Sequence, residues 1–511
     1  MRFLDGPKIG ILLGLLVVLG VPFAFRPDDA RPGDDADLSL VIISPHNEQI
    51  RYEFSRAFDD WHREHYGQSV KLDWRVPGGT SEIRKQVFAE YEAAIRRGPI
   101  EPGSMSYDLL FGGGSYEHGQ MKREVSAIGE DGVERSATIA VPIDFTDEQL
   151  AAWYGDNRIG RNTLYDPDRY WFGTALSAFG VVYNRDVLER LRVPEPRTWA
   201  DLTNPRLAGW IALADPGQSG SICTTFEVIL NLKGWSEGWA ILREAAANSR
   251  YFSNSSSKVP IDVSLGEAAA GMCIDFYGRS QAQSIADAGD PDRLGFIAPV
   301  GVTDIDPDPV TMLRGGPNPE LARRFVEFTL TPEAQALWQF PARGDDASGD
   351  GLGPVRFELR RLPIRPDFYG AYAERLIDKV NPFDTAQPIE AWNFDIRRNI
   401  APLFSAMAID NHRPLEEAWV AMNAAGPEHP DWVEMRRLFH AMPVIVLQGE
   451  DDDPSNDRTI SLDSTEGLAD LKERWGGPSG AQLKELDRIR WTEFFRENYR
   501  AIIELAEADG N

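Results

Sequence analysis

The sequence predicts an α/β protein with mostly parallel strands, followed by a mostly helical C-terminal region. Three observations carry this. Short apolar runs alternate with segments of helical spacing three times between residues 38 and 120, the pattern that builds parallel sheets. The alternation resumes between about 173 and 304. From about residue 365 the apolar spacing is that of helices.

Leu38 to Ile43 reads as a buried strand stopped by Ser44-Pro45, and Ile50, Phe54, Phe58 and Trp61 follow at helical spacing. Val70 to Val76 alternates as a strand, turns at Gly78-Gly79-Thr80 and leads into a second helix. A third strand, Leu109 to Phe111, ends in three glycines and Ser115. A strand around Gly180–Tyr183, a helix, a Pro-rich break and a strand at Trp210–Ala214 come next. In "YFSNSSSKVPIDVSLGEAAAGMCIDFYGR" (251–279) three serines and a lysine lead into an alanine-rich helix, and a short strand then runs into Asp-Phe-Tyr-Gly. Asn318 is a good cap for a helix opening at Pro319. Residues 343–353 read as a loop, and "GEDDDPSNDR" as a solvated acidic loop without EF-hand spacing.

The 511 residues suffice for two or three units. With 42% hydrophobic and 10% aromatic residues the chain can fill sizeable cores. Eighty acids against 53 bases give a net charge of −27. Such a surface repels phosphodiester backbones, so nucleic acid is not an expected partner. It leaves room for a small anion in a locally basic cleft. Cys223 and Cys273 sit in apolar surroundings and read as buried thiols. The apolar run Ile9–Phe25, 17 residues long and preceded by Arg2 and Lys8, reads as an uncleaved anchor with the body outside the cytoplasm, a cleaved signal peptide being the alternative.

The loops after the strands are alike. "SPHNE" offers Ser44, His46 and Asn47; "PGGTS" offers Gly79 and Thr80; "GGGSY" offers Gly113, Gly114 and Ser115. "DPGQSGS" adds Ser219, Gly220 and Ser221; "NSSSK" adds Ser256, Ser257 and Lys258; "DFYGR" adds Asp275 and Tyr277. In parallel sheets these carboxyl ends gather ligands, and helix starts attract negative charge. Arg279 and Arg314 stand beside them as possible cations. Each loop alone is also explained by helix capping. Enzyme and cofactor motifs do not match: "GQSGS" lacks the last glycine of a nucleophile elbow, "GGTSEIRK" lacks P-loop spacing, and His62 and His65 stand three apart, expected to face solvent. Only Ser44 with His46 approaches a nucleophile–base pair.

The segments "VIISPHNEQIRYEF", "WFGTALSAFGVVYNRDVL", "ADPGQSGS" and "IDPDPVTMLRGGPNPELARRFVEFTLTPEAQALWQF" resemble the extracellular solute-binding proteins of ABC importers, with the ferric-iron-type branch nearest. The resemblance covers roughly residues 39–345. It implies a two-lobed periplasmic-binding-protein-like fold (type II): an anchor or signal peptide at 1–30, lobe one at 38–172 and 305–345, lobe two at 173–304, and a C-terminal extension at 346–511. Crossing strands are expected near 172–183 and 297–312. It further implies binding without catalysis, no cofactor, a small-molecule solute as ligand and an importer permease as partner. Ferric binders of this kind use two adjacent tyrosines with a histidine and an acid, whereas "DFYGR" offers only Tyr277. A ferric site would have to use His46, Glu48, Asp275 and Tyr277. The serine-rich loops suit a phosphate- or sulfonate-bearing solute better. A ligand-sensing ectodomain is a further alternative.

Overall fold

A computed structural model describes residues 36–299, 301–344, 350–386, 391–447 and 458–508. The anchor expectation at 9–25 and most of the acidic loop fall outside these residues. No helix among the described residues is long and apolar enough to cross a membrane.

Strand β1 (Leu38–Ile43) pairs in parallel with β2 (Val70–Arg75) and β3 (Leu109–Phe111). A hairpin, β4 (Glu124–Ile128) and β5 (Glu134–Thr138), lies apart from this sheet. Strand β6 (Phe172–Asn184) is buried along its whole length and joins two sheet halves. In the second half β7 (Ile211–Ala214) pairs in parallel with β8 (Ser249–Ser253) and with β9 (Ala270–Ile274). Residues 179–183 of β6 pair with β9, and its end pairs with β10 (Leu294–Ile297). The first part of β6 instead pairs with β11 (Ile305–Met312), which continues to β3.

The expectation of mostly parallel strands therefore holds inside each half. It fails at β6 and β11, which run antiparallel to every strand they touch. These are the crossing strands: β6 spans the first crossing expected near 172–183, and the second, expected near 297–312, is β11, which begins only at Ile305. Two-way crossing forces the reversal, because a chain that passes from one half to the other must also return.

In the first lobe an aromatic cluster of Phe54, Phe58, Phe111, Phe325, Phe328 and Trp338 fills the space between helix Glu48–Tyr66 and the pair Pro319–Thr329 and Pro332–Gln339. Trp338 Nε1 donates to Thr174 O at 3.0 Å, tying that pair to β6. His62 corrects its expectation: it is fully buried, with Nδ1 on Gln68 O at 2.9 Å and Arg324 at Nε2, and only His65 is exposed. Helix 319–329 does start at Pro319, but Asn318 does not cap it; its amide donates to Ser39 O. The helix read in 251–279 ends at Ser264, and Ala268 and Ala269 run into β9. Alanine's helix preference yields there to a buried place in the sheet.

The C-terminal extension is anchored to both lobes. Backbone N–H groups of Val355, Arg356 and Phe357 all donate to the buried carboxylate of Glu53 in the first lobe, each at 2.8 Å. A two-residue strand, β12 (Leu362–Pro363), pairs with β6. The later helices Arg397–Phe404, His412–Ala425 and Trp432–His440 pack on helices Gly220–Leu232 and Trp235–Ala247 of the second lobe, and the long helix Gly480–Ala508 packs across those three. Arg243 is buried in that interface, donating to Phe439 O and Ala441 O at the end of helix 432–440. A buried guanidinium without a carboxylate persists only where carbonyls satisfy it, so this docking is a fixed part of the fold.

Candidate functional site: an interlobe cleft

A cleft of about 420 Å³ lies between the lobes. It is lined by His46, Asn47, Arg51, Gly79, Thr80, Gly113, Gly114, Ser219, Gly220, Ser221, Ser256, Ser257 and Tyr277, among others. Most of the loops singled out in the sequence meet here. The reason is topological: β1, β2, β3, β7, β8 and β9 all end toward it.

Two helix starts face each other across the gap. Gly79 precedes helix Thr80–Arg97 of the first lobe, and Ser219 caps helix Gly220–Leu232 of the second. A Cβ on Gly220 would fall 2.1 Å from Thr80 Oγ1, and one on Gly79 would fall 2.9 Å from Gln218 O. The lobes are therefore closed on each other here, with both dipoles and their unpaired first amides turned to one place. Hydroxyls line it: Ser219 Oγ reaches Ser221 Oγ at 3.2 Å, which reaches Ser256 Oγ at 2.8 Å. Ser257 starts helix Lys258–Ser264 without capping it and bonds Ser255 Oγ at 2.8 Å instead. Gly112 and Gly113 adopt positive φ, and a Cβ on Gly112 would collide with the His46 ring at 2.5 Å.

The deep end of the cleft is charged. Asp308 accepts from Arg361, from His46 Nε2 at 2.9 Å and from Gly113 N at 2.7 Å. Burial alone would raise its pKa, but Arg361 and His46 outweigh that and hold the carboxyl below its ordinary range. Arg361 also donates to Ser177 Oγ at 2.8 Å and lies over the Phe276 ring. Burial lowers the pKa of His46, keeping the imidazole neutral. Asp306 accepts from Ser115 Oγ at 2.6 Å and Ser115 N at 3.2 Å, and burial pushes its carboxyl up to about 6. At the other end Arg397 pairs with Glu227 at 2.8 Å, and Glu117 pairs with Arg84 at 2.6 Å. Arg51 enters the cleft with Nε on Asn47 O and has no ion pair among the described residues.

Four expected residues do not line the cleft. The Ser44 hydroxyl is buried and accepts from His46 N, the backbone amide, so it is no nucleophile beside an imidazole. Ser115 turns away to Asp306. Lys258 is half-exposed and bound to Asp262 and Tyr251, one turn along its own helix and back on β8. Asp275 is buried behind the end of β9, its Oδ1 on the Phe276 amide, and burial pushes it up to about 6. Asn47 lines the cleft while capping helix 48–66 through Ile50 N at 3.0 Å. Arg279 is committed to Asp378, and Arg314 to Thr138.

The ferric set does not assemble either. His46 Nε2 is taken by Asp308 and Arg361, Glu48 is exposed outside the cleft, and Asp275 is buried behind the end of β9, leaving Tyr277 alone of the four free to face the cleft. No group of three or more histidine, cysteine or acidic side chains able to hold a metal occurs among the described residues. Cys223 and Cys273 are free and buried, as read.

Sequence reasoning missed Arg51, Arg361 and Arg397. Arg51 could have been found, since it follows the Asn47 cap by one helical turn. Arg361, in "LRRLPI", carries the weaker signal of a cation inside an apolar strand.

Two α/β lobes joined by crossing strands around a donor-lined cleft make the two-lobed fold of the periplasmic binding proteins. Residues 143–343 match the family model of the bacterial extracellular solute-binding proteins, so the resemblance read from the sequence holds. The phosphoglycerate transport regulatory protein PgtC of Salmonella typhimurium is 26% identical over 282 residues, 54% of this chain and 64% of that relative's length. An uncharacterized protein of Haemophilus influenzae is 30% identical over 219 residues, 39% of this chain and 58% of its own. Both matches thus span less than two thirds of the relatives. Among solved structures, the fold is similar to the periplasmic binding protein AfuA of Actinobacillus pleuropneumoniae with fructose-6-phosphate bound, at a TM-score of 0.52 and 17% identity, over 73% of this chain and 99% of that one. It is also similar to the periplasmic binding protein P5PA, at a TM-score of 0.51 and 18% identity, over 73% of this chain and all of that one.

Proposed function

We propose that the protein is an exported solute receptor for an ABC importer and binds a small phosphate-bearing solute in the interlobe cleft without turning it over. The observation that carries the reading is the pairing of two helix starts across the cleft, with their serine and threonine hydroxyls and with Arg51 beside them uncommitted to any acid. Such a site supplies N–H and O–H donors, oriented dipoles and a cation that has no ion pair among the described residues, which is what a phosphate group's acceptor oxygens require. Of the cleft's carboxylates, Asp308 and Glu117 are each neutralised by an arginine and Glu82 stands exposed at the rim in its helix's first turn. Asp306, bonded to Ser115, keeps its proton only below about pH 6, so at neutral pH it opposes a bound anion that the donors and Arg51 must outweigh. The name of the Salmonella relative and the ligand bound to AfuA support the same solute class. Ligand contacts from both lobes would favour the closed state. The apolar run at 9–25 would tether the receptor outside the cytoplasm.

The relative's designation as a regulatory protein supports a second reading, a sensing ectodomain that binds the same solute but reports to a signalling partner. Co-purification separates the two by which membrane protein is recovered. The solute class itself is tested by thermal unfolding against 3-phosphoglycerate, fructose 6-phosphate, inorganic phosphate, sulfonates and ferric citrate. A ligand at about 100 times its Kd adds about 2.7 kcal/mol of stability. A rise in Tm with phosphate esters is expected. A rise with ferric citrate alone contradicts the reading.

A further inference from the structure

The segment that opens the helical part of the extension, "WNFDIRR" (392–398), lies across the cleft. On one side it grips the second lobe. Glu227, in helix 220–232, accepts from Trp392 Nε1 at 3.1 Å and from Arg397 Nη1 at 2.8 Å. Arg397 also donates to Thr224 Oγ1 at 2.9 Å, and Asn393 N donates to Asn231 Oδ1 at 2.8 Å. On the other side the same two side chains meet the first lobe. The Arg397 guanidinium lies 3.9 Å over the Tyr116 ring, with Nη2 3.8 Å from Glu117 Oε1. The Arg161 guanidinium, held by Asp304 at 2.6 Å, lies 3.5 Å over the Trp392 ring. Two cation–π stacks, organised by one glutamate of the opposite lobe, thus cross the gap. Arg397 is buried, so its stack is desolvated, the setting in which such contacts are strongest.

We propose that residues 392–397 of the extension are a latch that holds the two lobes closed, with Arg397 as its principal positioning residue. The assignment rests on the solute-receptor reading, since only a cleft that opens needs a latch. Residues 355–363 of the extension are held by Glu53 of the first lobe and by β6, but from residue 397 onward the extension is fixed to the second lobe through Arg243 and the helices around it. The latch therefore moves with that lobe, and opening must break the Arg397–Tyr116 stack, whereas Arg161 is held by Asp304 beside the crossing strand β11. It follows that the extension tunes affinity: a receptor whose closed state is partly populated before ligand arrives loses less affinity to the closing step.

The test is the distance between spin labels placed one per lobe, at Glu64→Cys and Leu265→Cys, both exposed positions. Distances are read without ligand by pulsed electron resonance on the otherwise intact chain. The native latch should give a predominantly short distance. Arg397→Ala should shift a large fraction to longer distances, and Arg397→Lys, which keeps the charge but not the planar face, should fall between the two. Because Arg397→Ala leaves Glu227 short of a partner and could impair folding, Tyr116→Ala serves as the second variant. It removes only the first-lobe half of the stack, from a side chain already 38% exposed, and should also lengthen the distance. A distribution unchanged in both Tyr116→Ala and Arg397→Ala overturns the latch. Titration with 3-phosphoglycerate is the separate arm. Weakening of about tenfold in both alanine variants is expected. If the native chain binds none of it, the receptor reading has lost its probe, while the ligand-free distances still judge the latch.

Discussion

Burial holds the Asp306 carboxyl up at about 6, with Ser115 N and Oγ each donating to one of its oxygens at the cleft wall. An unfolded aspartate titrates near 3.9. Between about pH 4 and 6 the native state therefore keeps a proton that the unfolded chain releases, so this residue's contribution to stability falls as pH rises through that window and is level above it. Asp306→Asn removes the titration. Denaturant unfolding should show native stability dropping relative to the variant by about 2–3 kcal/mol from pH 4 to pH 7; a constant difference would contradict the assignment. At this scale the sequence was partly legible. His46, Thr80, the 219–221 and 256–257 serines and Tyr277 all line the cleft because strand ends and helix starts mark it in any α/β sheet. Ser44, Ser115, Lys258 and Asp275 do not, since a residue's position in a loop leaves open which way its side chain turns. Lys258 found a carboxylate one helical turn away in Asp262, a local partner that outcompetes the cleft.

Among elements, the meeting of helices 80–97 and 220–232 sets how far the lobes close. Glycine is required at residue 220 because Thr80 occupies the space a side chain would take. Gly220→Ala should oppose closure by the cost of overpacking, about 1–3 kcal/mol, and calorimetry with 3-phosphoglycerate should read this as a Kd raised about tenfold or more. An unchanged Kd would mean that the solute does not need these two helices in contact. The strands were the most legible part of the fold, because β1, β3 and β7 are short apolar runs and β2 alternates, with glycine, proline or serine close by their ends. Helices were less so where burial overrode local preference. Ala270 entered the sheet with Ala268 and Ala269 leading into it, and His62 was drawn under Arg324 and the end of its own helix. The antiparallel course of β6 and β11 is invisible in periodicity, since a buried strand reads the same in either direction.

For the whole molecule, the extension changes what a two-lobed receptor is made of. It donates to Glu53 of the first lobe, adds β12 beside the crossing strand β6, and carries Arg361 and Arg397 into the cleft. Neither arginine could be placed from sequence, because its partners lie across long separations: Arg361 with Asp308 and His46, Arg397 with Glu227 and Glu117. The acidic net charge of −27 was legible but says little of the site, where cations and donors are gathered locally. This cleft is proposed to hold a phosphate-bearing solute, with Arg51, which has no ion pair among the described residues, as the cation that meets it. Calorimetric titration of the purified protein with 3-phosphoglycerate, native beside Arg51→Ala, tests it most directly. Saturable one-site binding is predicted, weakened in Arg51→Ala by about 1.5–3 kcal/mol as a charged hydrogen bond is lost. Equal affinities in the two proteins, or heat from ferric citrate and none from any phosphate ester, would contradict it.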